Sequence, residues 1–416
     1  MSLIRPLFVG LASAAALILP SAAQNNSTVV SIPIEYTYLL PAPFESSPIF
    51  SFLNSTTTSE EKVNNLFQSA KTAPFVSYDT EFLALLGPNP SANLVEERAV
   101  NFAGEAGIWL KERNEVWYTT WINDGATHVE ILDLASGITR NLTTSIPLEN
   151  PNGGCYHQGL VYFTSLRDDT RNFSGGVYSV NPSTGEAKVI MNSYMGLKFD
   201  AIDDVAWVTQ PGTNRSFMYI TVLPSTAGTV TNGLAQGLWR FDPISKILAP
   251  VISRTDFPVA NGVRPSVDQK SIYITDFGGT PHVPVWGLPA QVGIPGVYKY
   301  DLDADMLPVN RRVFSIARMQ APDGIRVDDK GRVWTGEGEG IMVRSPEGKL
   351  LGVFNAQFFT PDPINLAIVQ FALAGDILVI LGMRQLWTVK LSEVVMADSN
   401  WCLTCILKKR SSREET

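Results

Sequence analysis

The sequence predicts an all-β protein: a six-bladed β-propeller carrying an N-terminal extension. Three observations lead there. From Val100 onward the chain breaks into short β-branched and aromatic runs separated by Gly, Pro, Asn and Asp. A phrase of two or three apolar residues ending in Thr then recurs. It reads Val116-Trp117-Tyr118-Thr119, Val161-Tyr162-Phe163-Thr164, Met218-Tyr219-Ile220-Thr221, Ile272-Tyr273-Ile274-Thr275 and Val333-Trp334-Thr335, with Ile377-Leu378-Val379 as a degenerate sixth copy. Successive copies lie roughly 45 to 60 residues apart, the period of four-stranded blades with loop insertions. A β-sandwich is the alternative, but it does not account for so long a repeat.

Each element follows in order. Arg5, an apolar run over 7–19, Pro20 and Ser21-Ala22-Ala23 form a secretory signal-peptide pattern, so residues 1–23 are expected to be removed and the protein exported. Six glycosylation acceptors agree with export: Asn25, Asn26, Asn54, Asn141, Asn172 and Asn214. Residues 24–97 form an irregular extension wrapped on the main domain. Within it a helix is expected over 59–70, with Thr58 and Glu61 at capping-box spacing. Residues 98–398 make the propeller, and 399–416 a polar tail.

A second phrase starts with Gly and ends in a turn, as outer strands do. It stands at Gly176-Val177-Tyr178-Ser179-Val180, Gly237-Leu238-Trp239-Arg240-Phe241 and Gly296-Val297-Tyr298-Lys299-Tyr300. The apolar stretch 364–383 is interrupted by Asn365, Gln370 and Asp376. Turn chemistry at Ala374-Gly375-Asp376 makes it two buried strands joined by a hairpin, and no membrane span is predicted.

Composition excludes several functions. The 416 residues are 45% hydrophobic and 17% charged, which is ordinary for a folded chain. A net charge of −8 argues against nucleic-acid binding. Three histidines, His128, His157 and His282, without a paired spacing exclude a His-rich zinc centre. Three cysteines, Cys155, Cys402 and Cys405, give no disulfide framework; the Cys402/Cys405 pair lacks the second pair a zinc site needs. Gly336-x-Gly338-x-Gly340 is an incomplete dinucleotide fingerprint and reads as a blade turn. Cys155 near His157 lacks an orienting partner and reads as a core cysteine.

The chemistry therefore falls to carboxylates and amides. Four short phrases stand just upstream of the recurring strands: Gly104-Glu105-Ala106, Ile202-Asp203-Asp204, Ala260-Asn261-Gly262 and Pro322-Asp323-Gly324. Asn-Gly and Asp-Gly are common hairpin turns, so Asn261 and Asp323 taken singly read as turn residues. Their recurrence at one structural position in separate blades favours convergence on a central channel. Clustered carboxylates about 5 Å apart repel by roughly 3 kcal/mol per pair at an effective dielectric near 20. Oxygen-only donors suit a hard cation, Ca2+ first, with Mg2+, Mn2+ or Zn2+ as substitutes.

These phrases resemble the gluconolactonase and senescence-marker-protein-30 family, in particular its fungal lactonohydrolase branch. The resemblance runs from about residue 75 to 390. It is most specific from Asn261-Gly262-Val263 through Tyr273-Ile274-Thr275-Asp276 to Asn310-Arg311-Arg312-Val313-Phe314 and Pro322-Asp323-Gly324-Ile325. It implies a divalent metal in a propeller channel, held by Glu105, Asn261 and Asp323, with Asp323 as general base. The matching phrase Asn150-Pro151-Asn152-Gly153-Gly154-Cys155-Tyr156-His157 implies that Asn152 and His157 lie near the substrate. Two positions depart from the pattern. Asp203 stands where the family usually has Asn, which adds negative charge and strengthens cation binding. Gly104 stands where the branch commonly has His, which removes a substrate contact.

The expected activity is metal-dependent hydrolysis of a small-molecule lactone or similar cyclic ester. The alternative is a propeller that binds or converts a small metabolite in a biosynthetic pathway without net hydrolysis. An interaction propeller with Trp121 and Trp286 on exposed loops is a third class, disfavoured by the clustered carboxylates. The Pro- and Gly-rich segment 282–293 is expected to form a loop over the channel.

Overall fold

A computed structural model describes residues 28–47, 49–120, 127–168, 171–223, 234, 236–253, 256, 259–278, 295–360 and 367–397. The signal-peptide expectation, Asn25, Asn26, Trp121, Trp286, His282, the channel loop, Cys402, Cys405 and the polar tail lie outside those residues.

Six sheets make the six blades. Blade I holds Glu105–Leu110, Glu115–Thr119, Val129–Asp133 and Thr139–Asn141. Blade II holds Pro151–His157, Leu160–Ser165, Gly176–Val180 and Ala187–Met191. Blade III holds Ala201–Thr209, Ser216–Leu223, Gly237–Asp242 and Ile247–Ser253, and blade IV Ala260–Pro265, Ser271–Asp276, Gly296–Leu302 and Pro308–Ile316. The recurring Thr phrase is the second strand of its blade. Buried rings and aliphatic side chains on both faces of these strands pack blade against blade, as in the cluster of Val208, Tyr219, Val263, Ile274 and Tyr298 between blades III and IV.

The N-terminal segment enters the propeller itself. In blade V, Ile325–Val327, Val333–Glu337, Gly340–Arg344 and Leu350–Asn355 are extended by Phe75–Ser77, antiparallel, and then by Val29–Ser31, parallel to it. In blade VI, Ala92–Glu97 is the outer strand on Gln385–Val395. The ring is thus closed by hydrogen bonds between chain segments roughly 290 residues apart.

Three local expectations are corrected. The helix is Glu61–Ala70, burying Val63, Phe67 and Ala70, but the capping box does not form. Thr58 instead accepts from Glu60 N at 3.2 Å, and Asn64 Oδ1 accepts from Thr58 N at 2.8 Å. The Gly-initiated phrases are third strands, hydrogen-bonded on both sides, and not outer ones. The apolar stretch near residue 370 carries one thirteen-residue element, Gln370–Gly382, in which Gly375 takes a left-handed φ of 71° in place of a separate hairpin. No helix among the described residues is long and apolar enough to cross a membrane.

Candidate active site

The innermost strands of neighbouring blades run side by side, so their first residues meet at one end of the channel. Glu105 begins blade I, Asn152 lies one residue into blade II and Asp203 two residues into blade III. Asn261 lies one residue into blade IV, Asp323 two residues before the strand of blade V, and Gln370 begins blade VI. Each blade therefore contributes one carboxylate or amide. Gln370 had no signal in the sequence beyond its position, because blade VI carries only a degenerate repeat.

A register shift recurs at this level in four blades: between Glu105 and Ile108, Pro151 and Gly154, Ile202 and Val205, and Ala260 and Val263. Bulges of this kind take a residue out of the ladder and re-aim its side chain. The glycines beside the site residues serve close packing, which corrects the hairpin-turn reading of Asn261 and Asp323. A Cβ on Gly153 would stand 2.3 Å from the Asp203 carbonyl oxygen, and one on Gly262 would stand 2.5 Å from that of Asp323.

The recurring threonines hold the same carbonyls. Thr119 Oγ1 donates to Asn152 O at 2.8 Å, Thr164 to Asp203 O at 2.6 Å and Thr275 to Asp323 O at 2.8 Å. Blades I, II and IV thereby each fix the backbone of a site residue on the next blade. Beneath them, two buried arginines one residue past Val263 and Ile325 clasp carbonyls across the channel. Arg264 Nη2 donates to Gly154 O and Arg326 Nη2 to Gly107 O, both at 3.0 Å. Arg264 also forms a buried ion pair with Asp204 at 2.6 Å.

The side chains at the channel end interact with one another. Asn152 Nδ2 donates to Asp203 Oδ1 at 2.8 Å, and Gln370 Nε2 to Glu105 Oε2 at 3.5 Å. Burial raises the pKa of Glu105 and of Asp203 well above the carboxylate range. Repulsion from Asp323 adds to it in both. Asp323 is pushed up to about 7, first by burial and then by the charge of Asp204, while a hydrogen bond with Asn261 acts in the opposite direction. The charges acting on Asp203 and Asp323 are all negative.

Such a set, oxygen donors only and negative in sum, fits a hard divalent cation by its chemistry. Among the described residues, no three His, Cys, Asp or Glu side chains are gathered closely enough to cage an ion by themselves. The amide of Asn261 and adjusted carboxylate rotamers would have to complete the grip.

His157 lies elsewhere. Its strand runs away from Asn152, and at about 3.3 Å per residue it ends well down the channel. There its ring stacks on Trp207, with centroids 4.9 Å apart. The two rings line a cavity of about 440 Å³ with Arg264 and Gln269, a lining that includes none of the four predicted metal ligands. Cys155 is buried in the core between blades II and III. Gly336 to Gly340 spans the turn between two strands of blade V, as expected. Of the acceptor asparagines, Asn141, Asn172 and Asn214 are exposed, whereas Asn54 is half-buried with its Oδ1 enclosed.

Comparison with known proteins adds sequence kinship to this geometry. Residues 206–368 match the SMP-30/gluconolactonase/LRE-like region, which includes Asn261 and Asp323 and leaves Glu105, Asn152, Asp203 and Gln370 outside. Two proteins of Aspergillus oryzae align over most of the chain. The lactonohydrolase oryH is 25% identical over 79% of this chain and 87% of its own. The lactonohydrolase oryL is 23% identical over 70% and 67% respectively. Among solved structures, the gluconolactonase XC5397 of Xanthomonas campestris superimposes with a TM-score of 0.56 at 17% identity, covering 76% of this chain and 94% of its own. A structural-genomics target bearing the gluconolactonase name gives 0.59 at 16%, covering 78% and 99%. Both structural likenesses concern the fold.

Proposed function

We propose, for a chain related to the SMP-30/gluconolactonase family and its fungal lactonohydrolases, that this protein hydrolyses a lactone or similar cyclic ester at the carboxylate end of its channel, with a divalent cation as cofactor. The observation that carries the reading is the convergence of Glu105, Asp203, Asn261 and Asp323 from four blades, with burial and then the charge of Asp323 raising the pKa of both Glu105 and Asp203. Glu105, Asp203, Asn261 and Asp323 would hold the cation, Ca2+ first. When bound it would polarise the ester carbonyl.

The protein's own groups supply the rest. Asp323 is the group that would take a proton from the attacking water and return it to the departing ring oxygen. The water oxygen bonds to the carbonyl carbon, the ring C–O bond breaks, and the product is a hydroxy acid. The hydrogen bond with Asn261 orients the Asp323 carboxylate, and Thr275 holds its backbone. Asn152 positions Asp203 in the same way. Export and glycosylation at Asn141, Asn172 and Asn214 belong to the same proposal, supported by the exposure of those three side chains.

The test is hydrolysis of aldono-1,4- and 1,5-lactones by purified protein, with and without chelator, followed by Ca2+ add-back. Activity indifferent to chelation would sink the metal-assisted mechanism, and full turnover by Asp323→Asn would remove Asp323 as base. Tight cation binding without turnover across the panel would favour the metabolite-binding alternative.

A further inference from the structure

The six polar side chains at the carboxylate end of the channel alternate in kind around the ring. Blades I, III and V present the carboxylates Glu105, Asp203 and Asp323, and blades II, IV and VI the amides Asn152, Asn261 and Gln370. None of these three carboxylates therefore has another on a neighbouring blade. On a regular six-membered ring, alternate members stand about 1.7 times as far apart as adjacent ones, which cuts the repulsion of each pair to about 0.6 of its value.

The amides also share a direction. Asn152 donates to Asp203, one blade further on, at 2.8 Å. Asn261 is hydrogen-bonded to Asp323, again one blade on. Gln370 of blade VI donates to Glu105 of blade I at 3.5 Å, which closes the ring. That last contact is long, so it steers the carboxylate more than it clamps it.

The seat of Gln370 is shaped for this contact. The residue is 2% exposed, and its Oε1 accepts from Phe371 N at 3.2 Å, which turns the NH2 group toward Glu105. A Cβ on Gly324, the residue after Asp323, would stand 2.4 Å from Gln370 Oε1 and 2.5 Å from Nε2. A Cβ on Gly107, two residues after Glu105, would stand 3.4 Å from Gln370 Cγ. Glycines on the two flanking blades thus leave the slot in which the amide lies. With its oxygen on the backbone and its NH2 on Glu105, the amide serves as a donor to the carboxylate rather than as a further oxygen ligand.

We infer that Gln370 is a positioning residue: its amide takes Glu105 Oε2 and leaves Oε1 for the cation, completing a ring in which each carboxylate is held by the amide of the blade before it. The inference rests on the cation reading proposed above, whereas the pairing of Gln370 with Glu105 can be measured without a cation.

The test is a double-variant cycle of Glu105→Met and Gln370→Met, the latter keeping the side-chain length and losing the donor. Urea unfolding in chelator is the first measurement. Gln370→Met also frees the Phe371 N–H, a loss common to both backgrounds, so the ratio of the two losses isolates the contact with Glu105. The folding equilibrium constant should fall at least about threefold more in the wild-type background than in Glu105→Met. Calorimetric titration with Ca2+ is the second measurement, in which Gln370→Met should bind about three- to tenfold more weakly than wild type. Circular dichroism identifies a variant that fails to fold. Gly324→Ala, whose methyl would displace the same amide, then replaces Gln370→Met, and Glu105→Ala replaces Glu105→Met. A ratio near one would overturn the inference, and with weakened Ca2+ binding it would make Gln370 a direct ligand. Unchanged Ca2+ affinity in Gln370→Met would overturn it as well. Wild-type protein that binds no Ca2+ would sink the cation reading, while the ratio in chelator still decides whether Gln370 holds Glu105.

Discussion

Thr164 of blade II donates its hydroxyl to the backbone carbonyl of Asp203 in blade III at 2.6 Å, where Gly153 leaves no room for a side chain. The hydroxyl is completely buried, so the bond is not replaceable by water. Thr164→Val keeps the shape and removes the donor, leaving a buried carbonyl under-satisfied at a cost of about 1–3 kcal/mol. Lactone turnover should fall with it, because Asp203 loses its backbone anchor, and Thr164→Ser should restore both. A Val variant with unchanged melting temperature and kcat would show that the threonine only fills space.

Asp203→Asn tests the charge of the site. Removing a buried carboxylate that faces a second one should raise the melting temperature in chelator, because burial and Asp323 both penalise the charge of Asp203. The same substitution should weaken Ca2+ binding by at least about tenfold, since affinity follows the count of charged ligands. Asn152 can still donate to the oxygen at that position, so local geometry is kept. Calorimetric titration with Ca2+ gives the answer; unchanged affinity would remove Asp203 from the ligand set.

His157 predicts a pH effect on stability. Burial lowers its pKa to about 4, against an ordinary value near 6.5. Between those values the unfolded chain binds the extra proton, so this contribution is fully present above pH 6.5 and is lost as the pH falls toward 4. Wild-type protein should lose about 2 kcal/mol more than His157→Phe between pH 7 and 4.5. Urea unfolding of both proteins at the two pH values isolates the difference, because the other titrating groups are common to both. Parallel pH profiles would contradict the assignment.

Asp204 and Arg264 form a pair in which both side chains are nearly inaccessible. Asp204→Ala leaves the buried guanidinium without its carboxylate and should cost about 3–5 kcal/mol, whereas the double change with Arg264→Met should cost less than the sum. Additive losses in chemical denaturation would mean that the two residues do not act as a pair.

Much of this was legible along the chain. The Thr phrase is readable because buried second strands repeat an apolar pattern, and in three blades its hydroxyl holds a carbonyl of the next blade. The carboxylates and amides are readable at Glu105, Asp203, Asn261 and Asp323 because short, small-residue phrases surround them. Gln370 was not, since blade VI has lost the phrase and a lone Gln in an apolar run carries no positional signal. The helix Thr80–Leu86 also has local signals, since Asp79 caps it by accepting from Glu81 N at 2.8 Å and Gly87 ends it. The roles of Arg264 and Arg326 were not legible either, because only burial across the channel gives them their carbonyl partners.

The sequence by itself determined the blade period, the all-β class and the oxygen-donor character of the site, because these depend on local pattern and residue chemistry. Tertiary structure alone decided which strands close the ring, that each blade supplies one polar residue at the same level, and that His157 belongs to the far end of its strand. It also decided that the N-terminal segment adds strands to two blades. Those outcomes depend on contacts between residues hundreds of positions apart, and on the direction in which each strand crosses the ring. Neither is encoded in any single stretch of the chain.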